Sequence, residues 1–310
     1  MKPKIIVILG PTASGKTDLA VKLAQKFNGE IVTADSRTIY KGMDIGTAKV
    51  LGERREIDSE FAVIYQGIPH YLIDCVYPNE EYSVVHFKDD AQRIIDKIIK
   101  RGKTPFLVGG TGLYIQALMD NLDVPEVPPD KELRERLERD IETLGLEAVY
   151  EKLKATCPIL ASSVVDPQNP RRIIRAMEIC LKNGDLARVK GEPFYDALKI
   201  GIKLEKEELN RRIDARVDKM MEGGLVEENK KLLEKYDSNL PALSGIGYRE
   251  IIKYLRGELP VEDAVELIKL NTRHFVKRQM TWFKRDESIN WVENLGEGEK
   301  LVSNFLHFSQ

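Results

Sequence analysis

The chain has 310 residues, enough for about two domains or for one core carrying an insertion. Hydrophobic residues make up 42% and charged residues 32%, which excludes a collagen-like, disordered or disulfide-scaffold chain. Forty-eight basic against 50 acidic side chains leave a net charge of −2, so no global field points to nucleic acid. The longest apolar run near the N-terminus, Ile5–Leu9, is too short for a signal segment or a membrane span, and a cytoplasmic protein is expected. Cys75, Cys157 and Cys180 form no CxxC pair and the four histidines show no ligand spacing. Neither a zinc site nor a disulfide is expected, and the cysteines read as reduced.

Lys4–Leu9 is an apolar, β-branched run ending in a Gly-rich turn, and Thr17–Phe27 has helical spacing. Ile31–Ala34 is a second strand, Val84–Arg101 a long helix closed by Gly102, and Phe106–Val108 a third strand. This alternation predicts an α/β fold with a doubly wound, mostly parallel sheet. Near residue 120 the texture changes: Pro125, Pro128 and Pro129 mark a linker, and Asp130 and Asn169-Pro170 are set to start helices. No strand is evident between about 120 and 196. The expectation is a core of residues 1–119 and 197–310 with an all-helical insertion at 120–196. Ala197–Leu204 resumes the sheet, helices follow at roughly 206–221, 225–236, 247–256 and 261–284, and 290–292 suits an edge strand.

The most specific local signal is Gly10-Pro11-Thr12-Ala13-Ser14-Gly15-Lys16-Thr17. It matches the phosphate-loop pattern between a buried strand and an amphipathic helix. Backbone N–H groups there can wrap a phosphate, Lys16 can hold its charge, and the Thr17 hydroxyl can ligate Mg²⁺. The loop implies a bound di- or triphosphate without implying ATP hydrolysis. Asp35, just past the second strand, is placed to act as a general base or to hold a metal through water; a turn aspartate is the plainer alternative. Gly109-Gly110-Thr111-Gly112 closes the third strand, either for close backbone approach to a ligand, with Thr111 in contact, or as a simple turn. That strand lacks the terminal Asp of a motor ATPase, although Asp74 after Tyr71 could imitate it.

Arg212 and Arg216, with Arg211 beside them, lie one helical turn apart and can reach the phosphates or form a solvated face with Glu208. From Lys269 to Arg285 there are six basic and no acidic residues, and Lys277–Lys284 interleaves basic, amide and aromatic side chains. Such a segment suits an RNA strand, with phosphate contacts and base stacking; the alternative puts Trp282 and Phe283 in the core.

Together these stretches resemble the bacterial-type tRNA dimethylallyltransferase family: GPTASGKT at 10–17, Asp35-Ser36 with Ile39-Tyr40, GMDIGTAK at 42–49 and GGTGLY at 109–114, then Arg171–Arg175, Arg216–Met220, Gly247-Tyr248-Arg249 and KRQMTWF at 277–283. The resemblance runs in order over nearly the whole chain. It implies transfer of a dimethylallyl group from dimethylallyl diphosphate to the exocyclic amine of the adenine 3′ to the tRNA anticodon, releasing pyrophosphate. It also implies catalytic roles for Lys16, Asp35, Thr111 and Arg216, with Mg²⁺ on Thr17. By the same resemblance the contacts to the anticodon stem-loop fall on Asp35, Ser36, Arg37, Thr38, Thr111, Arg134, Arg171, Arg172, Arg175, Ser244, Gly247, Tyr248, Arg249, Lys277, Arg278, Gln279, Thr281, Trp282 and Lys284. A monomer is expected. Arg37-Thr38 and Ser244-Gly245 depart from the family's usual residues. A P-loop kinase of a nucleotide or small metabolite, an adenine-nucleotide isopentenyltransferase and an RNA binder without chemistry are the competing readings.

Overall fold

The computed structural model describes residues 2–164, 166–186 and 189–307. The chain divides into two compact units, Met1–Met119 with Pro193–Gln310, and Asp120–Glu192.

In the larger unit, β1 (Lys4–Leu9) is buried from Ile5 onward, the continuous apolar run of a strand covered on both faces. It feeds α1 (Lys16–Lys26), which turns Leu19, Ala20, Leu23 and Ala24 inward, and β2 (Gly29–Ala34) follows. Residues 50–71, where no element was expected, form β3 (Glu53–Ile57), β4 (Glu60–Tyr65) and β5 (Ile68–Tyr71). They were hidden for physical reasons. The first four residues of β3 are charged and exposed, so it has no alternation, and Pro69 lies inside β5. The β3–β4 turn puts Asp58 and Ser59 at positive φ. Helix α2 (Val84–Lys100) opens with a capping box between Ser83 and His86, and β6 (Thr104–Gly109) and α3 (Gly112–Met119) complete this half.

The smaller unit holds α4 (Lys131–Leu144), α5 (Leu146–Thr156), α6 (Pro158–Ser162) and α7 (Pro170–Asn183). Asp130 caps α4 by accepting the Leu133 N–H, and Asn169 caps α7 ahead of Pro170. Two short strands also occur there, β7 (Leu122–Asp123) and β8 (Val189–Lys190), paired antiparallel. Two residues per strand are too few to leave a periodic signal. The helices enclose their own core of Leu133, Leu137, Val149, Leu153, Ile173 and Met177. A correction concerns the cysteines: Cys157 and Cys180 form a disulfide across 23 residues, and Cys75 is the free one. Packing of α5 against α7 brings the two together, which residue spacing does not reveal.

The larger unit resumes with β9 (Asp196–Ile202), α8 (Lys206–Glu222), α9 (Leu225–Leu233), α10 (Tyr248–Leu255), α11 (Val261–Phe283), β10 (Ile289–Val292) and α12 (Leu295–His307). The sheet runs β10-β9-β1-β6-β2-β5-β4-β3. Strands β10 to β5 pair in parallel, and β4 and β3 extend the edge antiparallel. The fold is therefore a P-loop-type α/β sheet, with one core of buried side chains including Leu19, Leu23 and Val302 and another including Phe87, Ile94 and Leu118. Among the described residues, no helix is long and apolar enough to cross a membrane.

Candidate active site

Strand β1 ends at the carboxyl edge of the sheet, where the chain turns through residues 10–15 into α1. Ala13 and Gly15 adopt positive φ of 65° and 88°. No side chain caps α1, so its first N–H groups face an open turn with the positive end of the helix dipole behind them. Ser14 is buried, and its hydroxyl has no hydrogen-bond partner among the described residues. Lys16 Nζ lies 3.3 Å from the Pro11 carbonyl. Burial lowers the Lys16 ammonium to about 8; Asp35 opposes the shift and Arg216 adds to it. The ammonium stays charged at neutral pH, and an anion beside it extends the charged form to higher pH.

Asp35 follows β2 on the neighbouring stretch of the same sheet edge. Its Oδ1 accepts the Arg37 N–H at 2.8 Å and lies 3.4 Å from the Thr38 N–H, a local turn that fixes the carboxylate. The Thr111 hydroxyl, just past β6, accepts the Ser36 N–H at 3.1 Å. Arg216 on α8 donates to the Thr47 carbonyl at 3.0 Å, and burial lowers its pKa against the opposing charge of Asp35. The field of Asp35 thus reaches both Lys16 and Arg216. Arg212, one turn earlier, is shared between Glu208 and the Ser14 carbonyl, while Arg211 pairs with Glu208.

Sequence reasoning missed the anchor of the 42–49 loop. Glu228 on α9 accepts the backbone N–H groups of Asp44, Ile45 and Gly46 at 2.7–3.0 Å, and the Tyr248 hydroxyl at 2.8 Å. In sequence Glu228 is one acid among several in an amphipathic helix, and nothing local marks it. Lys49 is buried between Asp44 and Asp74, and Asp74 also takes Arg54. Asp74 is thereby committed to an ion cluster and does not stand in for a motor-ATPase aspartate.

Two residues expected on the RNA-contacting surface, Tyr248 and Gln279, are internal. Tyr248 is 1% exposed and fills the space a Cβ on Gly46 would need. Gln279 is buried between the Thr12 N–H and the Gly110 carbonyl. Half-buried Trp282 lies against Gly112. The glycines of the 109–112 turn therefore make room for protein: Gly109 for the Ala34 backbone, Gly110 for Gln279 and Gly112 for Trp282. Of the two readings of this turn, close packing of protein backbone and side chains accounts for the three glycines. Gly247 adopts φ 94° and donates its N–H to Glu250, which also pairs with the exposed Arg249. Arg37 donates to the Pro241 and Ala242 carbonyls at 2.8 and 3.0 Å and lies 3.4 Å from the Ser244 hydroxyl. The two stretches that depart from the family pattern thus touch one another.

On α11, Lys269 and Arg273 pair with Asp218 and Asp214 of α8. Lys277, Arg278 and Lys284 are exposed and make no ion pair among the described residues, and Thr281 is exposed beside them. In the smaller unit Arg171 and Arg172 are exposed on α7. Arg134 donates from Nε and Nη2 to the buried Glu178, which also takes Arg175 and the Asp130 N–H. Burial opposes the charge on Glu178, but these donors outweigh it and hold the carboxyl down at about 2. Among the described residues no group of three His, Cys, Asp or Glu is placed to hold a metal ion.

A family model described as IPP transferase matches residues 38–286. A relative named tRNA dimethylallyltransferase, from Acetivibrio thermocellus, is 44% identical and aligns over 98% of this chain and 96% of its own. One of the same name from Halothermothrix orenii is also 44% identical, over 99% and 92%. Among solved structures, a tRNA isopentenylpyrophosphate transferase from Bacillus halodurans is 37% identical, with a TM-score of 0.71 over 98% of this chain and 96% of that one. A eukaryotic dimethylallyltransferase described as acting on tRNA is 29% identical, with a TM-score of 0.72 over 98% and 77%.

Proposed function

The chain belongs to the IPP transferase family, and on that premise we propose that it transfers a dimethylallyl group from dimethylallyl diphosphate to the N6 amine of the adenine 3′ to a tRNA anticodon. The observation that carries the reading is the grouping of an anion-binding helix terminus, Lys16, Arg216 and Asp35 within one electrostatic neighbourhood. An adenine amine is a poor nucleophile because its lone pair is delocalised into the ring. Asp35, held by the turn to Thr38, accepts its proton as the N6–carbon bond forms and the carbon–oxygen bond to diphosphate breaks. Negative charge grows on the departing pyrophosphate. The N–H groups of the phosphate loop, Lys16 and Arg216 meet it there, and the unpartnered Ser14 hydroxyl is a further donor in the same loop. Thr111 fixes the Asp35–Ser36 turn through the Ser36 N–H.

Magnesium fits this donor set. Thr17 offers one hard oxygen in the first turn of α1, and Mg²⁺ sites of this kind draw their other ligands from substrate phosphates and water. Bound by Thr17 and the diphosphate, the ion would supply further charge neutralisation to the leaving group. The adenine must leave its stack to reach Asp35, at a cost of a few kcal/mol. Lys277 and Arg278 on α11, with Lys284 just past its end, supply phosphate contacts that offset it, and on the smaller unit Arg171 and Arg172 of α7 are further exposed cations available to RNA. A cytoplasmic reaction is part of the same proposal.

The test incubates the purified protein with Mg²⁺ and labelled dimethylallyl diphosphate, adding unmodified tRNA, AMP or neither. Label in tRNA alone supports the reading. Label in AMP moves the activity to free nucleotides, and no transfer alongside tight ATP binding leaves a kinase as the better account.

A further inference from the structure

Gln279 sits in α11 next to the exposed Lys277 and Arg278, yet its own side chain points into the protein and is 7% exposed. Its Oε1 accepts the Thr12 N–H at 2.9 Å, and its Nε2 donates to the Gly110 carbonyl at 2.8 Å. A carboxamide is the side-chain terminus that offers an acceptor and a donor side by side, and both are used here. The two partners belong to different functional loops. Thr12 lies in the phosphate loop, and Gly110 immediately precedes Thr111, whose hydroxyl holds the Ser36 N–H beside Asp35.

The fit is tight. A Cβ on Gly110 would come 2.5 Å from Gln279 Nε2, and the neighbouring Gly112 is closed off in the same way by Trp282. The last turns of α11 therefore form one wall behind both loops. A residue that touched RNA would need its polar end in solvent, whereas this one has both ends engaged and shielded.

We propose that Gln279 is a positioning residue for the transfer reaction, fixing the diphosphate loop and the Asp35-side turn at one spacing and tying both to the helix that carries Lys277 and Arg278. The inference rests on the function proposed above and deepens it. Its signature is a loss of diphosphate affinity and of turnover with tRNA affinity intact, because no tRNA-facing charge is removed. A residue that merely filled space would alter stability without that split.

The test uses the full-length protein as Q279M, which keeps length and volume but loses both hydrogen bonds, and as G110A, which attacks the same contact from the opposite side. For each, the dissociation constant of inorganic pyrophosphate, kcat and KM for dimethylallyl diphosphate, tRNA affinity and thermal midpoint are measured. Pyrophosphate affinity is expected to fall by on the order of tenfold in both variants, the scale of one or two buried hydrogen bonds left unmade, with kcat reduced and tRNA affinity within about twofold of the parent. Unchanged pyrophosphate affinity in a folded Q279M overturns the proposal, as does a fall in tRNA affinity with kcat preserved. If Q279M does not fold, G110A decides by the same criteria. If the parent protein transfers nothing to tRNA, the functional reading fails, and the pyrophosphate measurements still decide the role of Gln279.

Discussion

The Tyr248 hydroxyl donates to Glu228 at 2.8 Å while the same carboxylate gathers three consecutive backbone N–H groups from Asp44 to Gly46. Two helices thereby clamp the 42–49 loop, whose Thr47 carbonyl in turn receives Arg216. Removing the carboxylate leaves three N–H groups unpaired. Glu228→Ala should destabilise the protein by about 2 kcal/mol, below the sum for three enclosed donors at about 1–3 kcal/mol each, because Asp44, Ile45 and Gly46 are half-buried and open to water. It should also raise KM for dimethylallyl diphosphate by loosening Arg216. Urea unfolding and steady-state kinetics check this; stability within 1 kcal/mol of the parent would contradict it.

Lys16 gives diphosphate binding a pH dependence of known sign. Burial holds its ammonium at about 8 instead of 10.5 in the free protein, and a bound diphosphate favours the charged form. Pyrophosphate affinity should therefore weaken as pH rises past about 8, approaching tenfold per unit, with proton uptake on binding above that pH. Lys16→Met should flatten the profile. For stability the sign is the reverse: the buried ammonium costs the ligand-free fold below about pH 8, and that cost fades as pH climbs from 8 toward 10.5. Calorimetric titration of pyrophosphate in two buffers of different ionisation enthalpy reads the proton directly.

In the smaller unit, Glu178 is held near 2 against an ordinary 4.5, with burial outweighed by its donors. Its stabilising effect is complete above pH 4.5 and is lost as pH falls toward 2. Arg134→Ala should cost about 2–3 kcal/mol, less than the roughly 3–5 kcal/mol of a fully enclosed pair, because Arg134 is itself partly exposed. The loss should shrink between pH 4.5 and 2 as the carboxyl protonates in both proteins. A loss independent of pH would contradict the ion-pair account.

Salt dependence separates the two halves of the basic stripe on α11. Lys277→Ala, Arg278→Ala and Lys284→Ala should each reduce the slope of log affinity for tRNA against log salt by about 0.7–0.9. Lys269→Ala and Arg273→Ala should change it little, because Asp218 and Asp214 already hold those charges. Equal effects from all five would show that the acidic residues of α8 do not screen the stripe.

Much of this was legible in the sequence, for identifiable reasons. Strand β1, the phosphate loop and α1 carry strong periodic and glycine signals, and Asp130 and Asn169 cap helices where their residue types suggest. Strands β3 and β5 were illegible because one is a charged edge and the other contains Pro69. The packing role of Gly110 and Gly112 is not legible locally, because the side chains that fill their space come from α11, far along the chain. Tyr248 and Gln279 looked like surface residues within polar motifs, and only the tertiary partners Gly46, Thr12 and Gly110 show them to be internal. The Cys157–Cys180 pairing likewise depends on helix packing and not on spacing.

The most direct test of the central claim counts pyrophosphate released and prenylated adenosine formed in the same reaction, for the parent and for Asp35→Asn. The account predicts one pyrophosphate per modified adenosine, release only when tRNA is present, and a loss of at least about 10²-fold in Asp35→Asn with pyrophosphate affinity retained. Pyrophosphate release without tRNA, or an Asp35→Asn variant within a few-fold of the parent, would contradict it.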